Sequence, residues 1–364
     1  MTPRSDVALA EWCTMGVGGP ARWFVEARTE SDVCNALAWA RARRAVVHVL
    51  GGGSNVVMAD AGFDGLVIKV DLRGVASSPL GAREIYSAGA GEPWDPFVAV
   101  TVAGSCAGLE CLSGIPGQVG GTPVQNVGAY GQDVSGCITR VHAVDRRTLQ
   151  PTLFSNAACH FRYRTSAFKR EGGGRYVITR VEYALERDAP PTIAYADIVN
   201  YFEQRGETSP SVGAAREATL DIRRRKGMVI EADNPANRSC GSFFVNPLVS
   251  REQYATLQAN AGSAVAVPHY VVDECMVKIP AAWLIEGAGF TKGSKRGAVG
   301  ISPFQAQAIV NHGGATAADV LSLAAAIKRA VLDAYAIAIV PEPVFVGFKP
   351  SAALQWLLDP DPHN

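Results

Sequence analysis

Four short segments of this sequence combine residue types and spacings that can do chemistry. GGGSN (51–55) follows an apolar run, Val46 to Leu50, and offers bare backbone amides in a tight turn. Such amides let phosphate oxygens approach closely and donate hydrogen bonds to them. Taken alone, the segment reads equally well as a turn that binds nothing. It is not a Rossmann fingerprint, because a turn and a strand follow it and no helix begins there. The second segment, GIPGQVGGTPVQNVGAYGQDVS (114–135), is dense in glycine, holds two prolines and has Asp133 as its only ionised side chain. A backbone lying against a large uncharged ring system and a pyrophosphate would have this composition, whereas a solvated connector would carry more charge. The third segment, YRTSAFK (163–169), sets Arg164 beside Tyr163 and close to Ser166. In the fourth, SCGSFFVNP (239–247), Ser242 follows a glycine and precedes two phenylalanines, with Asn246 further on. The third and fourth also read as turns entering strands. Ser242 has no Gly-x-Ser-x-Gly elbow and no nearby histidine, so a hydrolase nucleophile is not indicated.

The elements that must position these segments follow from periodicity. Arg22 to Ala27 reads as a strand, Ser31 to Arg44 as a helix with Val33, Ala36, Leu37 and Ala40 on one face, and Val46 to Leu50 as a strand. Strands follow at Leu66 to Val70 and Ile85 to Ala88, then a helix from Pro93 to Leu109 that starts on a proline. Strands from Ile138 to Asp145 and from Tyr176 to Leu185 flank YRTSAFK. Helices around Ala196 to Gln204 and Ala214 to Arg225 lead into a polar linker, EADNPANRS (231–239), which reads as a mobile loop. Thr316 and Asp319 have capping-box spacing at the start of a long helix, and a last strand, Ile337 to Val346, carries Glu342 between two prolines. Strands and helices mixed without a βαβ rhythm predict an α+β architecture.

Composition narrows the function. At 364 residues two or three domains are expected, and Lys plus Arg and Asp plus Glu each total 34. Zero formal charge argues against nucleic acid or an anionic membrane as the main partner. The basic run Arg223 to Lys226 reads, on charge alone, as a solvated helix end. MTPRSDVALAEW lacks the apolar core of a secretory signal, and the apolar stretch from Val320 to Val340 is broken by Lys328, Arg329 and Asp333. Eight scattered cysteines form no metal or disulfide pattern, so no metal is expected and the thiols read as reduced, in a cytoplasmic protein.

TMGVGGPARWFVEA (14–27), VLGGGSNVV (49–57), GIPGQVGGTPVQNVGAYG (114–131), YRTSAFK, GSFFVNP (241–247), AAWLIEGAGFTKG (281–293) and PEPVFVG (341–347) run almost from end to end of the chain. In this order and spacing they resemble the UDP-N-acetylenolpyruvoylglucosamine reductases, also called UDP-N-acetylmuramate dehydrogenases. The resemblance implies three domains, two forming a vanillyl-alcohol-oxidase-type FAD-binding fold and a C-terminal one binding substrate. The expected boundaries are 1–72 and 73–222 for the FAD-binding subdomains and 223–336 for the substrate domain, with 337–364 returning to the active site. Non-covalent FAD would be held by Gly51, Gly52, Gly53, Ser54 and Asn55 at its pyrophosphate. Gly117, Gly120, Gly121, Gln125, Asn126, Gly128, Ala129, Tyr130, Gly131 and Arg164 would line the rest.

The resemblance also implies that NADPH reduces the flavin and that UDP-N-acetylglucosamine enolpyruvate then takes up the electrons. Arg164 and Glu342 would stabilise the developing carboxylate charge and Ser242 would protonate the α-carbon. Tyr163, Tyr195, Lys226, Asn246 and Gln305 would hold the substrate, with Tyr195 in AYADI (194–198) marking a longer, type I member and Lys226 reaching the diphosphate. Only one glutamate, Glu342, stands in Ile339–Val344, where the family carries two. The resemblance further implies a small-molecule nucleotide-sugar partner, and a monomer is expected. An oxidase of the same flavin fold and a non-catalytic nucleotide-sugar-binding protein are the rival readings; a flavin tethered covalently through the first glycine loop would mark the oxidase.

Overall fold

A computed structural model describes residues 2–170, 174–231, 234, 236–261 and 266–360. Ala232, Asp233 and Pro235 of the expected mobile linker therefore lie outside the described residues. The chain forms two compact units, each assembled from separated stretches.

The first unit comprises residues 1–7, 20–53 and 63–232. One of its sheets runs in the order Arg4–Ala8, Pro20–Ala27, Phe63–Val70, Val46–Leu50. The last three strands are parallel, in a register that sets His48 opposite Val67 and Phe24 opposite Val67 on the other side. The helix Glu30–Ala42 buries the expected stripe of Val33, Ala36, Leu37 and Ala40, and its start is closed by a Thr29–Asp32 capping box. A second, antiparallel sheet centres on Tyr176–Arg187, with Ile138–Asp145 on one side and Arg83–Gly89 on the other. Apolar side chains from both sheets share one core that includes Leu66, Ile68, Trp94, Phe97, Val141, Val181 and Tyr183.

The second unit comprises residues 8–19, 54–62 and 233–364. It holds two small antiparallel sheets, Leu248–Ser250, Met276–Lys278, Tyr270–Val271 and Lys295–Arg296, Val299–Ile301, Ile309–Asn311. The helix Ala317–Tyr335 starts on the expected Thr316–Asp319 capping box and buries Val320, Leu323, Ala324, Ile327 and Val331. The mixed α+β expectation stands.

Two elements are shorter than the sequence suggests. The helix from Pro93 stops at Ala103: Gly104 caps it, packed where only glycine fits beside the Tyr86 hydroxyl, and Ser105 leaves helical geometry at φ 54°. The terminal strand is confined to Val344–Val346, paired in parallel with Val56–Met58. Ahead of it, Pro341 and Pro343 cannot donate backbone hydrogen bonds, so the apolar run Ile337 to Val340 continues as irregular chain.

Candidate functional site

In the first unit three glycine turns come together. The strand Val46–Leu50 delivers Gly51 to Gly53, and Gly53 adopts φ +67°. A Cβ on Gly52 would stand 2.7 Å from the Cα of Gly117, so the first and second loops abut at a point where only glycine fits. Gly120 is packed as tightly, its Cβ position lying 2.6 Å from the Cβ of Ala90 in the Gly89–Trp94 turn. Gly121 differs: nothing lies within 4 Å of where its side chain would be. The second loop thus has one backbone face pressed on protein and another facing open space, the form of a cradle for a flat ligand.

The rest of that loop is held in uncommon backbone geometry. Asn126, Tyr130 and Arg164 all adopt left-handed φ, at 48°, 49° and 53°. Such conformations in non-glycine residues persist only where the surroundings impose them. Here the surroundings are specific. The Arg164 guanidinium donates from Nη2 to the Gly128 carbonyl at 2.7 Å and from Nη1 to that of Asn126 at 3.5 Å. Ser166 Oγ donates to the Val124 carbonyl, and the Asn126 side chain accepts from Ser135 N–H at 3.1 Å while donating to the Arg162 carbonyl at 3.4 Å. YRTSAFK is therefore a brace for the glycine loop. Arg162 and Thr165 exchange backbone hydrogen bonds at 3.0 and 3.1 Å, and the Lys169 ammonium caps the Arg164 carbonyl at 3.1 Å. Gln125 and Ala129 are half-buried in the same loop. Tyr163 is exposed, with the Arg164 guanidinium 5.4 Å from its ring centroid.

Tyr130 links this loop to two other expected residues. Its ring meets that of Tyr195 edge to face at 5.4 Å, and the Lys226 ammonium lies 5.3 Å from its centroid. Lys226 is also ion-paired with Asp197, two residues after Tyr195. An aromatic pair beside an ammonium can stack a heterocycle and meet a diphosphate. The basic run is more than a solvated helix end, since Arg223 is 7% exposed and its Nη2 donates to the Met228 carbonyl at 3.1 Å. Burial pushes the Arg223 pKa down, against Tyr130 and Asp95, which hold it up. Asp95 accepts both guanidinium arms of Arg216, at 2.6 and 2.9 Å, and the Gly114 N–H at 2.6 Å. Burial raises the Asp95 pKa, but these bonds and the nearby arginine charges outweigh it, leaving the carboxyl below its usual range. Gly114, where the loop begins, is thereby anchored.

In the second unit, backbone pairing places Ser242 and Glu342 on neighbouring runs. Phe243 accepts the Glu342 N–H at 2.8 Å, Val245 donates to Val340 at 3.0 Å, and Phe244 bridges Pro341. Phe243 and Phe244 are fully buried, so the half-buried Ser242 and Glu342 sit at the rim of an apolar base. Asn55 joins them: its carbonyl accepts from Val344 at 3.0 Å and its side-chain amide donates to the Glu342 carbonyl at 3.5 Å. Ser54 belongs to the same unit. Asn246 uses its side-chain oxygen to accept the Ala281 N–H at 2.9 Å and Gln307 Nε2 at 3.2 Å. Gln305 is half-buried and accepts the Ala308 N–H at 3.4 Å through its carbonyl. Sequence reasoning passed over Gln307, whose backbone carbonyl and side chain hold Phe243, Phe244 and Asn246, and over the bracing roles of Ser166 and Lys169. The Ser and Lys of YRTSAFK were visible as polar residues beside aromatics; Gln307 carries no such signal. Among the described residues no group of three or more His, Cys, Asp or Glu could hold a metal ion, and no helix is long and apolar enough to cross a membrane.

Comparison with known proteins adds an independent finding. The profile of the UDP-N-acetylenolpyruvoylglucosamine reductase C-terminal domain matches residues 233–346, and that of an FAD binding domain matches residues 21–148. A UDP-N-acetylenolpyruvoylglucosamine reductase of Thermobifida fusca (strain YX) is 41% identical over 354 residues, covering 94% of this chain and 97% of the relative. One of Streptomyces coelicolor is 41% identical over 350 residues, covering 94% and 90%. Among solved structures, UDP-N-acetylenolpyruvylglucosamine reductase from Thermus caldophilus superposes with a TM-score of 0.62 at 23% identity, over 94% of this chain and 99% of that one.

Proposed function

The chain belongs to the UDP-N-acetylenolpyruvoylglucosamine reductase family, and from that premise we propose the function and the roles of its residues. It is an FAD-dependent oxidoreductase that reduces UDP-N-acetylglucosamine enolpyruvate to UDP-N-acetylmuramate, with NADPH as electron donor, in peptidoglycan synthesis. The glycine cradle fits FAD. Its amides at Gly51 to Gly53 suit a pyrophosphate, and the open backbone face at Gly121 suits the flat uncharged ring. Bound there, FAD would supply the hydride chemistry between NADPH and the enolpyruvyl double bond that no side chain offers.

The observation that carries the residue roles is the backbone pairing that sets Ser242 beside Glu342. Reduction of the enolpyruvyl ether leaves negative charge spread from the α-carbon into the carboxylate. Arg164, fixed by its two loop carbonyls, supplies a preorganised positive charge for it. Glu342 shares a proton with the substrate carboxylate, and Ser242 Oγ donates the proton to the α-carbon as general acid. Tyr163, Tyr195, Lys226, Asn246 and Gln305 bind the nucleotide sugar, with Lys226 exchanging its Asp197 partner for the diphosphate. We place FAD-binding parts in 1–72 and 73–222, the substrate part in 223–336, and the returning tail in 337–364. We further place the protein in the cytoplasm as a monomer, serving cell-wall growth and so cell shape and division.

Adding UDP-N-acetylglucosamine enolpyruvate to the anaerobic, NADPH-reduced protein tests this reading. Rapid return of the oxidised-flavin bands is expected. A flavin that stays reduced until oxygen enters would instead mark an oxidase.

A further inference from the structure

Lys69 has no part in the chemistry above, yet it lies at the meeting point of the glycine turns. On the strand Phe63–Val70 it pairs across with Leu50, the residue that leads into Gly51. Its half-buried ammonium donates to Gln118 Oε1 at 3.1 Å and to the Val70 carbonyl at 3.2 Å. Gln118 is 8% exposed, and its Nε2 donates to the Gly91 carbonyl at 2.9 Å. The same Oε1 lies 3.6 Å from the Cβ position of Gly51. One lysine–glutamine strut therefore spans the entry to the first loop, the second loop and the Gly89–Trp94 turn, all within the first unit. Burial pushes the Lys69 pKa down, so its charge is one that a neighbouring anion would relieve.

We propose that Lys69, acting through Gln118, is a positioning residue for the diphosphate of the bound dinucleotide. It fixes the spacing of the Gly51–Gly53 and Gly117–Gly121 loops and biases their amides toward an anion. The inference rests on the FAD reading. It differs from that reading in assigning work to a side chain that touches neither the flavin ring nor the nucleotide sugar.

Apo-protein titrated with FAD and with riboflavin, followed by flavin fluorescence, separates the two. Riboflavin shares the ring and lacks the diphosphate. Lys69→Met is expected to weaken FAD binding about tenfold, the scale of one lost charge-assisted interaction. Riboflavin binding should stay within about twofold of wild type, since its ring contacts are unchanged. The salt dependence of FAD binding should flatten, and Lys69→Arg should restore most of the affinity. If Lys69→Met does not fold, Gln118→Leu cuts the same strut and should give the same FAD-selective loss. Unchanged FAD affinity in the variant that folds overturns the inference and leaves the FAD reading intact. An equal loss of FAD and riboflavin also overturns it, reducing Lys69 to a general support. Wild-type protein that binds no FAD overturns the flavin reading, and the inference falls with it.

Discussion

At the scale of single residues, the chemistry assigned to Ser242 and the buried Nε2 of His48 make separable predictions. Ser242 is set by backbone pairing and by buried neighbours, so removing its hydroxyl leaves the local frame in place. Ser242→Ala is expected to leave NADPH-driven flavin reduction unchanged and to slow reoxidation by substrate about 100-fold or more, the usual worth of a general acid. Stopped-flow measurement of the two half-reactions decides; a parallel fall in both would make Ser242 structural. His48 is different in kind. Its Nε2 is buried with no hydrogen-bond partner among the described residues, and burial, helped by the Arg146 charge, lowers its pKa to about 4. Between pH 6.5 and about 4 the unfolded chain binds a proton that the folded one refuses. Stability should therefore fall as pH drops through that window and level off below it, by about 3 kcal/mol in total from this one group. Urea unfolding at pH 7 and pH 4.5 should show a smaller acid loss in His48→Leu than in wild type. Arg164 and Ser242 stood out in the sequence as polar residues beside aromatics and glycines; the structure puts Arg164 on the loop carbonyls and Ser242 next to the Phe243–Glu342 pairing. The left-handed backbone at Asn126 and Arg164 was not legible, because tertiary hydrogen bonds hold these residues and no local residue choice announces it.

At the scale of elements, glycine positions divide into those that fit the protein to itself and those that face open space. Gly52→Ala would drive a Cβ to 2.7 Å from the Gly117 backbone, where no rotamer relieves it. It should cost about 1–3 kcal/mol and strip the flavin, because the two loops must part. Gly121→Ala meets nothing within 4 Å and should leave thermal stability unchanged. Thermal melts with and without added FAD compare them; equal melting points for Gly52→Ala and wild type would show that the loops do not depend on this contact. Helix stripes and the Thr316–Asp319 capping box were readable because they are written locally, whereas the Thr29–Asp32 box went unread and the first helix begins ahead of the expected Ser31. Lys328 was read as a charge interrupting an apolar run. It proves fully buried, its ammonium donating to the carbonyls of Trp356, Leu357 and Asp359 at the end of the last helix. Those acceptors come from a distant stretch, so nothing beside Lys328 in sequence reveals them.

At the scale of the whole molecule, the second unit is not a contiguous piece of chain. Residues 8–19 and 54–62 are built into it together with 233–364. Asp60 caps the helix Ala317–Tyr335 by accepting the Ala317 and Ala318 N–H groups at 2.7 and 3.0 Å. Val56–Met58 supplies the strand on which Val344–Val346 pairs, and Asn311 donates to the Met15 carbonyl at 3.0 Å. Met15, Val17 and Val57 are 0–2% exposed in the same core as Phe243, Phe244 and Ile327. A reading along the chain cuts only between neighbours, so it cannot show a core shared by residues this far apart; the parallel 56–58 and 344–346 pairing is a matter of register, which apolar patterning leaves open. A fragment of residues 233–364 would lose a helix cap, a sheet partner and three core side chains together. Each loss costs on the order of 1–3 kcal/mol, against a total stability of about 5–15 kcal/mol for a domain. The fragment is therefore expected to show no cooperative urea transition by circular dichroism. Supplying residues 1–62 by co-expression should recover one only if the N-terminal segments find their places without the rest of the first unit. A sharp transition in the fragment alone would mean that its own core suffices, and that the strand and cap from the N-terminal stretches serve to place Asn55 beside Glu342 without contributing to the fold.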